Sequence, residues 1–186
     1  MAKLKMLAWN DDPCGSTGYS RQAKNILKRL STHFDIACVG VNKMDENPHN
    51  PFEDDRMPFK VFRANIQNDP NDPEGCNLIK SVFHKLSPDI LFIMGDIWSF
   101  RGWLREWIEK MQFRYNFKTI GYYSTEYPLN DEDIDILRAT DYPITHSKWG
   151  LGFDNGAGYD EIKKIISKLI YIPDTVDSNV FYPTTE

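Results

Sequence analysis

The sequence is short of cysteine, of concentrated positive charge and of long apolar runs. Its three cysteines, Cys14, Cys38 and Cys76, form no CxxC pair, and the four histidines have no ligand-like spacing. A structural zinc or a disulfide framework is therefore not expected, and no metal site is predicted. The net charge is -5 without a Lys/Arg-rich block, which disfavours nucleic acid as a partner. No stretch approaches the roughly 20 apolar residues of a membrane span, so we expect a cytoplasmic protein.

What the chain does contain is a regular alternation of strand-like and helix-like patterns across 186 residues. Apolar spacing predicts strands at 4–9, 34–41, 59–62, 90–94, 119–123, 142–145 and near 169–172. It predicts helices at 18–30, 74–86, 103–113, 131–137 and 147–153, with 42–57 as a surface loop. Right-handed crossovers then favour an α/β, Rossmann-like, doubly wound and mostly parallel sheet with helices on both faces.

The loop after the first strand combines glycines with hydroxyl side chains. In an open parallel sheet, ligands bind beyond the carboxyl ends of the strands, and a helix N-terminus offers free N–H groups to an anion. We therefore predict a phosphate-facing loop whose candidate residues are Gly15, Ser16, Thr17, Gly18, Tyr19 and Gln22.

A capped turn is the alternative explanation of the same residues. Ser16 or Thr17 would be the N-cap and Gly15 would supply a positive φ. The spacing is neither GxGxxG nor that of a P-loop, so nicotinamide-dinucleotide and ATPase functions lose their main support.

The loops after strands four and five place further polar groups at the same edge of the predicted sheet. Asp96 and Trp98 suit hydrogen bonding to hydroxyls and stacking on a sugar or base, unless Trp98 packs down into the fold. Ser124, Thr125 and Glu126 follow strand five. Glu126 would orient or deprotonate a hydroxyl, although an ordinary loop acid is the commoner explanation of a carboxylate there.

Four segments carry a family resemblance. The loop PCGSTGYSRQ at 13–22 is similar to a P-x-G-x-T-G-Y-x-x-Q pattern, and PDILFIMGDIW at 88–98 resembles a fourth strand with its loop. IPDTVDSNVFYP at 172–183 is similar to I-P-H-G-V-D-x-x-x-F-x-P, and THSKWG at 145–150 fits the stretch before it. These patterns belong to the N-terminal domain of GT-B retaining glycosyltransferases, the family-four clan of glycogen-synthase-like and mannosyltransferase-like enzymes.

The resemblance implies an acceptor-side domain at 1–176 and a truncated interdomain linker or tail at 177–186. The glycine loop would face the diphosphate of a nucleotide sugar, which is a donor co-substrate and not a permanently bound cofactor. Asp96, Trp98, Ser124 and Thr125 would bind a small-molecule or glycan acceptor, with Glu126 as the catalytic candidate. Two departures are Asp174-Thr175 in place of His-Gly, and Ser124-Thr125-Glu126 where many members carry a histidine.

The resemblance does not extend to the domain that carries the clan's E-x-x-x-x-x-x-E donor motif, so we expect the chain alone to be inactive and a separate donor-binding domain or subunit to complete it. Two other functions stay open. One is a stand-alone Rossmann-like protein that binds a nucleotide or phosphorylated ligand without turnover. The other is an interaction module that docks a partner on the tryptophan-rich helix from Trp103 to Met111.

Overall fold

The computed structural model describes residues 2–41, 57–64, 72, 75–125, 129–147 and 159–173. In this part of the chain, strands and helices alternate as the sequence predicts. The strands are β1 (Lys5–Asp11), β2 (Asp35–Val41), β3 (Lys60–Arg63), β4 (Ile90–Asp96), β5 (Lys118–Ser124), β6 (Tyr142–Thr145) and β7 (Ile170–Tyr171). The helices are α1 (Gly18–Leu30), α2 (Cys76–Leu86), α3 (Leu104–Arg114), α4 (Asp131–Ala139) and α5 (Tyr159–Ile165), and a 3₁₀ turn at Ile97–Phe100 follows β4.

The strands form one sheet in the order β3-β2-β1-β4-β5-β6-β7, and every pairing in it is parallel. Strand β1 pairs with β2 on one side and with β4 on the other. The strand order therefore reverses direction between β1 and β4, which is the topological switch point of a doubly wound fold. The predicted α/β Rossmann-like fold class is confirmed.

The side chains of β1 alternate between two buried layers. Met6 and Ala8 lie in the core under α1, whereas Leu7 and Trp9 lie in the larger core under the other helices. Both faces of the sheet are covered, which explains why the strands read as continuous apolar runs. Cys38 is fully buried beneath α1, where burial raises the pKa of its thiol. It is the core residue that the sequence predicts.

The aromatic face of α3 packs inward. The ring of Trp107 lies 5.5 Å from that of Phe83, and the ring of Trp103 lies 5.1 Å from that of Trp9. Trp107 is only 8% exposed. The tryptophans of this helix therefore belong to the core and do not form the docking face of the interaction-module hypothesis.

Polar side chains fix where the helices begin. Thr17 caps α1 by accepting the Ser20 N–H at 2.9 Å. Asn130 and Asp133 form a capping box at the start of α4. The buried carboxylate of Asp72 accepts the N–H groups of Asn77 and Leu78 in the first turn of α2. Each contact satisfies amide groups that a helix leaves without an internal partner.

Most differences from the predicted elements lie at strand ends. Helix α1 and strand β6 have the predicted bounds, while β1, β4 and β5 continue past the apolar runs that predict them. Helix α5 was not predicted. The loop at 42–56, most of the connection at 65–74, residues 126–128, the helix expected up to 153 and the tail from 174 lie outside the described residues. The division at 176 and 177 stays a prediction.

No helix in the described part of the chain combines the length and the apolar character needed to cross a membrane.

Candidate functional site

A cleft opens beyond the carboxyl ends of β1 and β4, at the switch point of the sheet. The two strand ends, the first turn of α1 and the 3₁₀ turn after β4 form its walls, and its volume is about 110 Å³. Its polar side chains are Asn10, Asp11, Asp96 and Ser99. Complete pockets for drug-sized ligands are roughly 300 Å³ or larger. The cleft therefore has room for one group of a ligand and not for a whole nucleotide sugar.

Aromatic packing forms the cleft wall. Trp9 is 1% exposed, and its ring lies 4.8 Å from that of Phe100. Phe100 packs in turn against Tyr123 at 5.9 Å. Trp98 differs, because 51% of its surface is exposed at the rim of the cleft. The alternative in which Trp98 packs down into the fold is wrong.

Asp96 ends β4 and has one side-chain partner among the described residues. The Tyr19 hydroxyl donates to Oδ1 of Asp96 at 2.7 Å, which links the first turn of α1 to the end of β4 across the cleft. The Ser99 hydroxyl donates its hydrogen bond to the backbone carbonyl of Asp96 and not to the Asp96 carboxylate. In the described part of the chain, Oδ2 of Asp96 accepts no hydrogen bond. Asp96 therefore lines the cleft with one acceptor oxygen still available.

Asp11 ends β1 and serves the helix cap. The Thr17 hydroxyl lies 2.5 Å from Oδ2 of Asp11, to which it donates. The same Thr17 oxygen accepts the Ser20 N–H and lies 2.8 Å from the Ser20 hydroxyl. This chain of contacts fixes the predicted glycine loop to the end of β1. The capped-turn hypothesis is thus confirmed for Thr17.

Asp12, the next residue, joins the loop to Arg63 of β3. Its carboxylate is fully buried, accepts the Cys14 N–H at 2.8 Å and pairs with Nε of Arg63 at 2.6 Å. The chain passes so close to β2 that a Cβ on Gly40 would lie 2.8 Å from the Cα of Asp12. A side chain at position 40 would push the loop outward, so glycine is required there.

The two glycines of the loop have different surroundings. Gly15 has no positive φ, so that part of the capped-turn hypothesis is wrong. A Cβ on Gly15 would lie 2.6 Å from the Ser20 hydroxyl, which makes glycine a packing requirement. Gly18 is the exposed first residue of α1, and no atom lies within 4 Å of the position its Cβ would take. Of the two loop glycines, only Gly18 has open space beside it among the described residues.

The other candidates of the loop have mixed environments. Thr17 and Tyr19 already bond to the two aspartates of the cleft, and Ser16 is exposed. The side chain of Gln22 is partly buried, and its buried Oε1 has no hydrogen-bond partner among the described residues. The role of these residues in binding a diphosphate stays a prediction.

The predicted acceptor residues do not all reach the cleft. Asp96 and Trp98 line it, whereas Ser124 and Thr125 are buried behind the end of β5. The Thr125 hydroxyl lies 2.7 Å from that of Thr145, which joins the ends of β5 and β6. This burial does not favour direct contact between an acceptor and Ser124 or Thr125. Glu126 lies outside the described residues.

Eight lining residues were not among the sequence candidates, and those with polar or aromatic side chains are Trp9, Asn10, Asp11, Ser99 and Phe100. The available signal was the polar run Asn10-Asp11-Asp12 that follows Trp9, because polar residues after a buried strand lie at the edge where ligands bind. Side-chain contacts between α1 and β4 are not readable from spacing.

No known family model and no curated protein sequence matches the chain. Among solved structures, the fold is similar to that of sucrose-phosphate synthase from Thermosynechococcus elongatus, with a TM-score of 0.62 and 10% identity. The match covers 98% of this chain and 51% of the synthase chain. A second structure of that synthase matches with a TM-score of 0.51 and 12% identity, covering 96% of this chain and 92% of the other.

The chain thus spans about half of the first synthase chain that it matches. At 10 to 12% identity, the likeness concerns the fold alone. The fold is a glycosyltransferase-like α/β domain of Rossmann type.

Proposed function

We propose that this chain is the acceptor-side domain of a nucleotide-sugar-dependent glycosyltransferase of the GT-B type. The observation that carries the proposal is the structural match, in which nearly the whole chain aligns with about half of a sucrose-phosphate synthase chain. The cleft supports it, because it lies at the switch point and combines an exposed tryptophan with polar groups. That combination suits a sugar, whose ring stacks and whose hydroxyls bond.

The geometry of the cleft supports a proposal for what each of its residues contributes. Asp96 and Trp98 would hold the acceptor, and the backbone at Gly18 would approach the diphosphate of the donor, where the space is open. In the transfer, an acceptor oxygen bonds to the anomeric carbon as the bond from that carbon to the diphosphate breaks. A base takes the hydroxyl proton, and Glu126 is our candidate for it.

The small volume of the cleft also supports the expectation that another domain completes the enzyme. A wall on one side alone provides neither the contacts to the base and ribose nor the cations that stabilise a departing diphosphate. We expect the 186-residue chain to bind donors weakly and to transfer little or no sugar by itself.

A thermal-shift screen against nucleoside diphosphates and nucleotide sugars tests the proposal, since a ligand that binds only the native state raises the unfolding midpoint. Gly18→Asp should abolish the shift, because it places a carboxylate where the diphosphate would lie. It should leave the fold intact, since the position is open and an acid is favourable in a first helical turn.

Asn116→Asp is the matched control, because it adds the same charge at an exposed position beyond the opposite edge of the sheet. A shift that Gly18→Asp abolishes and Asn116→Asp retains supports the proposal. No shift with any nucleotide contradicts a diphosphate-facing loop in this chain. A tight one-to-one complex with a nucleotide would instead favour the stand-alone binding protein.

A further inference from the structure

The edge of the sheet opposite to the cleft carries positive charge. There the amino ends of β5, β6 and β7 lie beside the last turns of α3, α4 and α5, and residues 111–118, 136–142 and 162–170 are all described. We call their surface the amino patch. Its one carboxylate is Asp141. Its exposed cations are Arg114, Lys118, Arg138, Lys164 and Lys168. Positive charge therefore dominates this patch in a chain whose net charge is -5.

Contacts between its three segments make the amino patch continuous. Nζ of Lys168 donates to the backbone carbonyl of Arg138 at 2.7 Å, which joins the loop before β7 to the end of α4. Lys118 pairs with Asp141 at 2.9 Å, which joins β5 to the loop before β6. Asp141 also accepts a hydrogen bond from Gln112 of α3. The ends of α3, α4, β5 and β7 therefore belong to one connected surface.

Large apolar side chains are exposed on the same patch. The described part of the chain has seven such side chains, and four of them are Phe113, Tyr142, Ile165 and Ile170. Phe113, beside Arg114 at the end of α3, is 92% exposed. Single exposed apolar residues are ordinary, whereas their concentration at one edge indicates a surface that meets a partner.

Local roles explain the cations one by one. A cation near the end of a helix interacts favourably with the partial negative charge there, which applies to Arg114, Arg138 and Lys164. Lys118 has its pair with Asp141. None of these roles requires an exposed phenylalanine beside the cations. The combination of positive charge with exposed apolar side chains is therefore the feature that calls for a partner.

Among anionic partners, a lipid bilayer fits this combination best. Three of the five exposed cations are lysines, and lysine is depleted in interfaces between proteins. Contacts to the phosphates of a nucleic acid use cations but do not bury aliphatic side chains such as Ile165 and Ile170. At a bilayer surface, cations meet the anionic headgroups while apolar side chains enter the boundary with the acyl chains.

We propose that the amino patch holds the protein on the surface of an anionic lipid bilayer, with Phe113 inserted between the headgroups. Strand β5 has seven residues. The carboxyl edge therefore lies roughly 23 Å from the patch, well beyond the screening length of about 8 Å at physiological salt. The acids of the cleft are not repelled by the lipid, and the cleft faces away from it. This location is independent of the proposed function.

Flotation of the 186-residue chain with lipid vesicles tests the proposal. Vesicles of phosphatidylcholine with phosphatidylserine should bind it, vesicles of phosphatidylcholine alone should bind little, and added salt should release it. The double variant Arg114→Gln, Lys164→Gln should bind the anionic vesicles about 25-fold more weakly, since each cation near such a surface contributes about fivefold.

The double variant Arg21→Gln, Arg105→Gln is the matched control. It removes the same charge from exposed positions near the beginnings of α1 and α3, at the opposite edge of the sheet. We expect it to bind as the wild type does. Phe113→Ser should weaken binding severalfold and leave the unfolding midpoint unchanged, because so little of the ring contacts the protein.

Four results would overturn the proposal. They are no binding to anionic vesicles at low salt, equal binding to neutral vesicles, equal losses in the two double variants, and unchanged binding of Phe113→Ser. A single-stranded oligonucleotide that binds more tightly than the vesicles, and loses its binding in the Arg114 and Lys164 variant, would assign the patch to nucleic acid instead.

Discussion

The two edges of the sheet use carboxylates in different ways. Asp141 lies where β5 and β6 begin, and it accepts hydrogen bonds from Gln112 at 2.7 Å, Lys118 at 2.9 Å, and both the N–H and the hydroxyl of Thr119 at 2.9 and 2.8 Å. Asp96 lies where β4 ends and, within the described part of the chain, accepts one side-chain hydrogen bond, from Tyr19. The first carboxylate has its acceptor capacity filled by the protein, whereas the second keeps an oxygen available.

The number of hydrogen bonds that a carboxylate accepts from the protein distinguishes structural from functional acids. Residue type does not, because both are aspartates. A carboxylate that the protein fully satisfies ties elements together, and its loss is felt as instability. A carboxylate with an open acceptor in a cleft contributes little to folding, and its loss is felt in binding. Asp12 shows that the carboxyl edge also contains an acid of the first kind, since buried Arg63 and the Cys14 N–H occupy it.

The largest effect that we expect comes from Arg63→Ala. The change leaves the buried carboxylate of Asp12 without its cation, and removal of one partner from a buried pair costs about 3–5 kcal/mol in the free energy of unfolding. Chemical denaturation of the wild type and the variant measures it. Arg63→Lys retains a cation and should lose less. If both variants match the wild type in stability, Asp12 does not anchor the loop.

Asp141→Asn should have the next largest effect. The substitution weakens the bonds to Lys118 and Thr119 at once, and we expect a loss of about 2 kcal/mol. Asp135→Asn is the matched control, since Asp135 pairs with Arg105 and Arg138 at the exposed surface of α4. Such pairs contribute less than about 1 kcal/mol. Equal losses of stability in the two variants would contradict the conclusion that Asp141 stabilises the fold more than an exposed acid does.

The pH dependence of the stability difference between the wild type and Asp141→Asn tests whether the ionised carboxylate causes it. Partial burial alone raises the pKa of Asp141, but the hydrogen bonds from Lys118 and Thr119 outweigh it and hold the pKa below its usual value. A carboxyl with a lowered folded pKa contributes fully above its unfolded value of about 4, and the contribution is lost as the pH falls through the folded value. The gap between wild type and Asp141→Asn should therefore shrink below about pH 4.

We expect the smallest change in the free energy of unfolding from Asp96→Asn. Asp96→Asn should change the free energy of unfolding by less than about 0.5 kcal/mol, because the amide oxygen still accepts the Tyr19 hydroxyl. The same denaturation series measures it. A loss as large as that of Asp141→Asn would place Asp96 among the structural acids and remove the distinction between the two edges.

The sequence predicted the sheet and the position of the cleft, but not where the strands end. Apolar runs stop at Trp9, Met94 and Tyr123, whereas the strands continue to Asp11, Asp96 and Ser124. The backbone ladder does not require apolar side chains, so it continues after the strand has left the core. In β1 and β4, the residues between these two limits line the cleft.

Contacts between distant elements account for the remaining misses. The Tyr19 to Asp96 bond joins residues 77 positions apart, and Arg63 reaches Asp12 across 51 positions. Local patterns report propensity and burial, and no periodicity encodes which long side chain meets which loop. The predicted roles of the loop residues, from Gly15 to Gln22, stay predictions for the same reason.

The position of β1 at the switch point has a consequence for the making of the protein. Its first residue, Lys5, donates its N–H to Asp89, 84 positions later, so one side of β1 remains unpaired until that distant segment has left the ribosome. Synthesis at about 5–20 residues per second makes this a wait of several seconds. During that time an apolar strand edge is open to wrong partners. The protection of β1 therefore depends on the pace of translation and on chaperones.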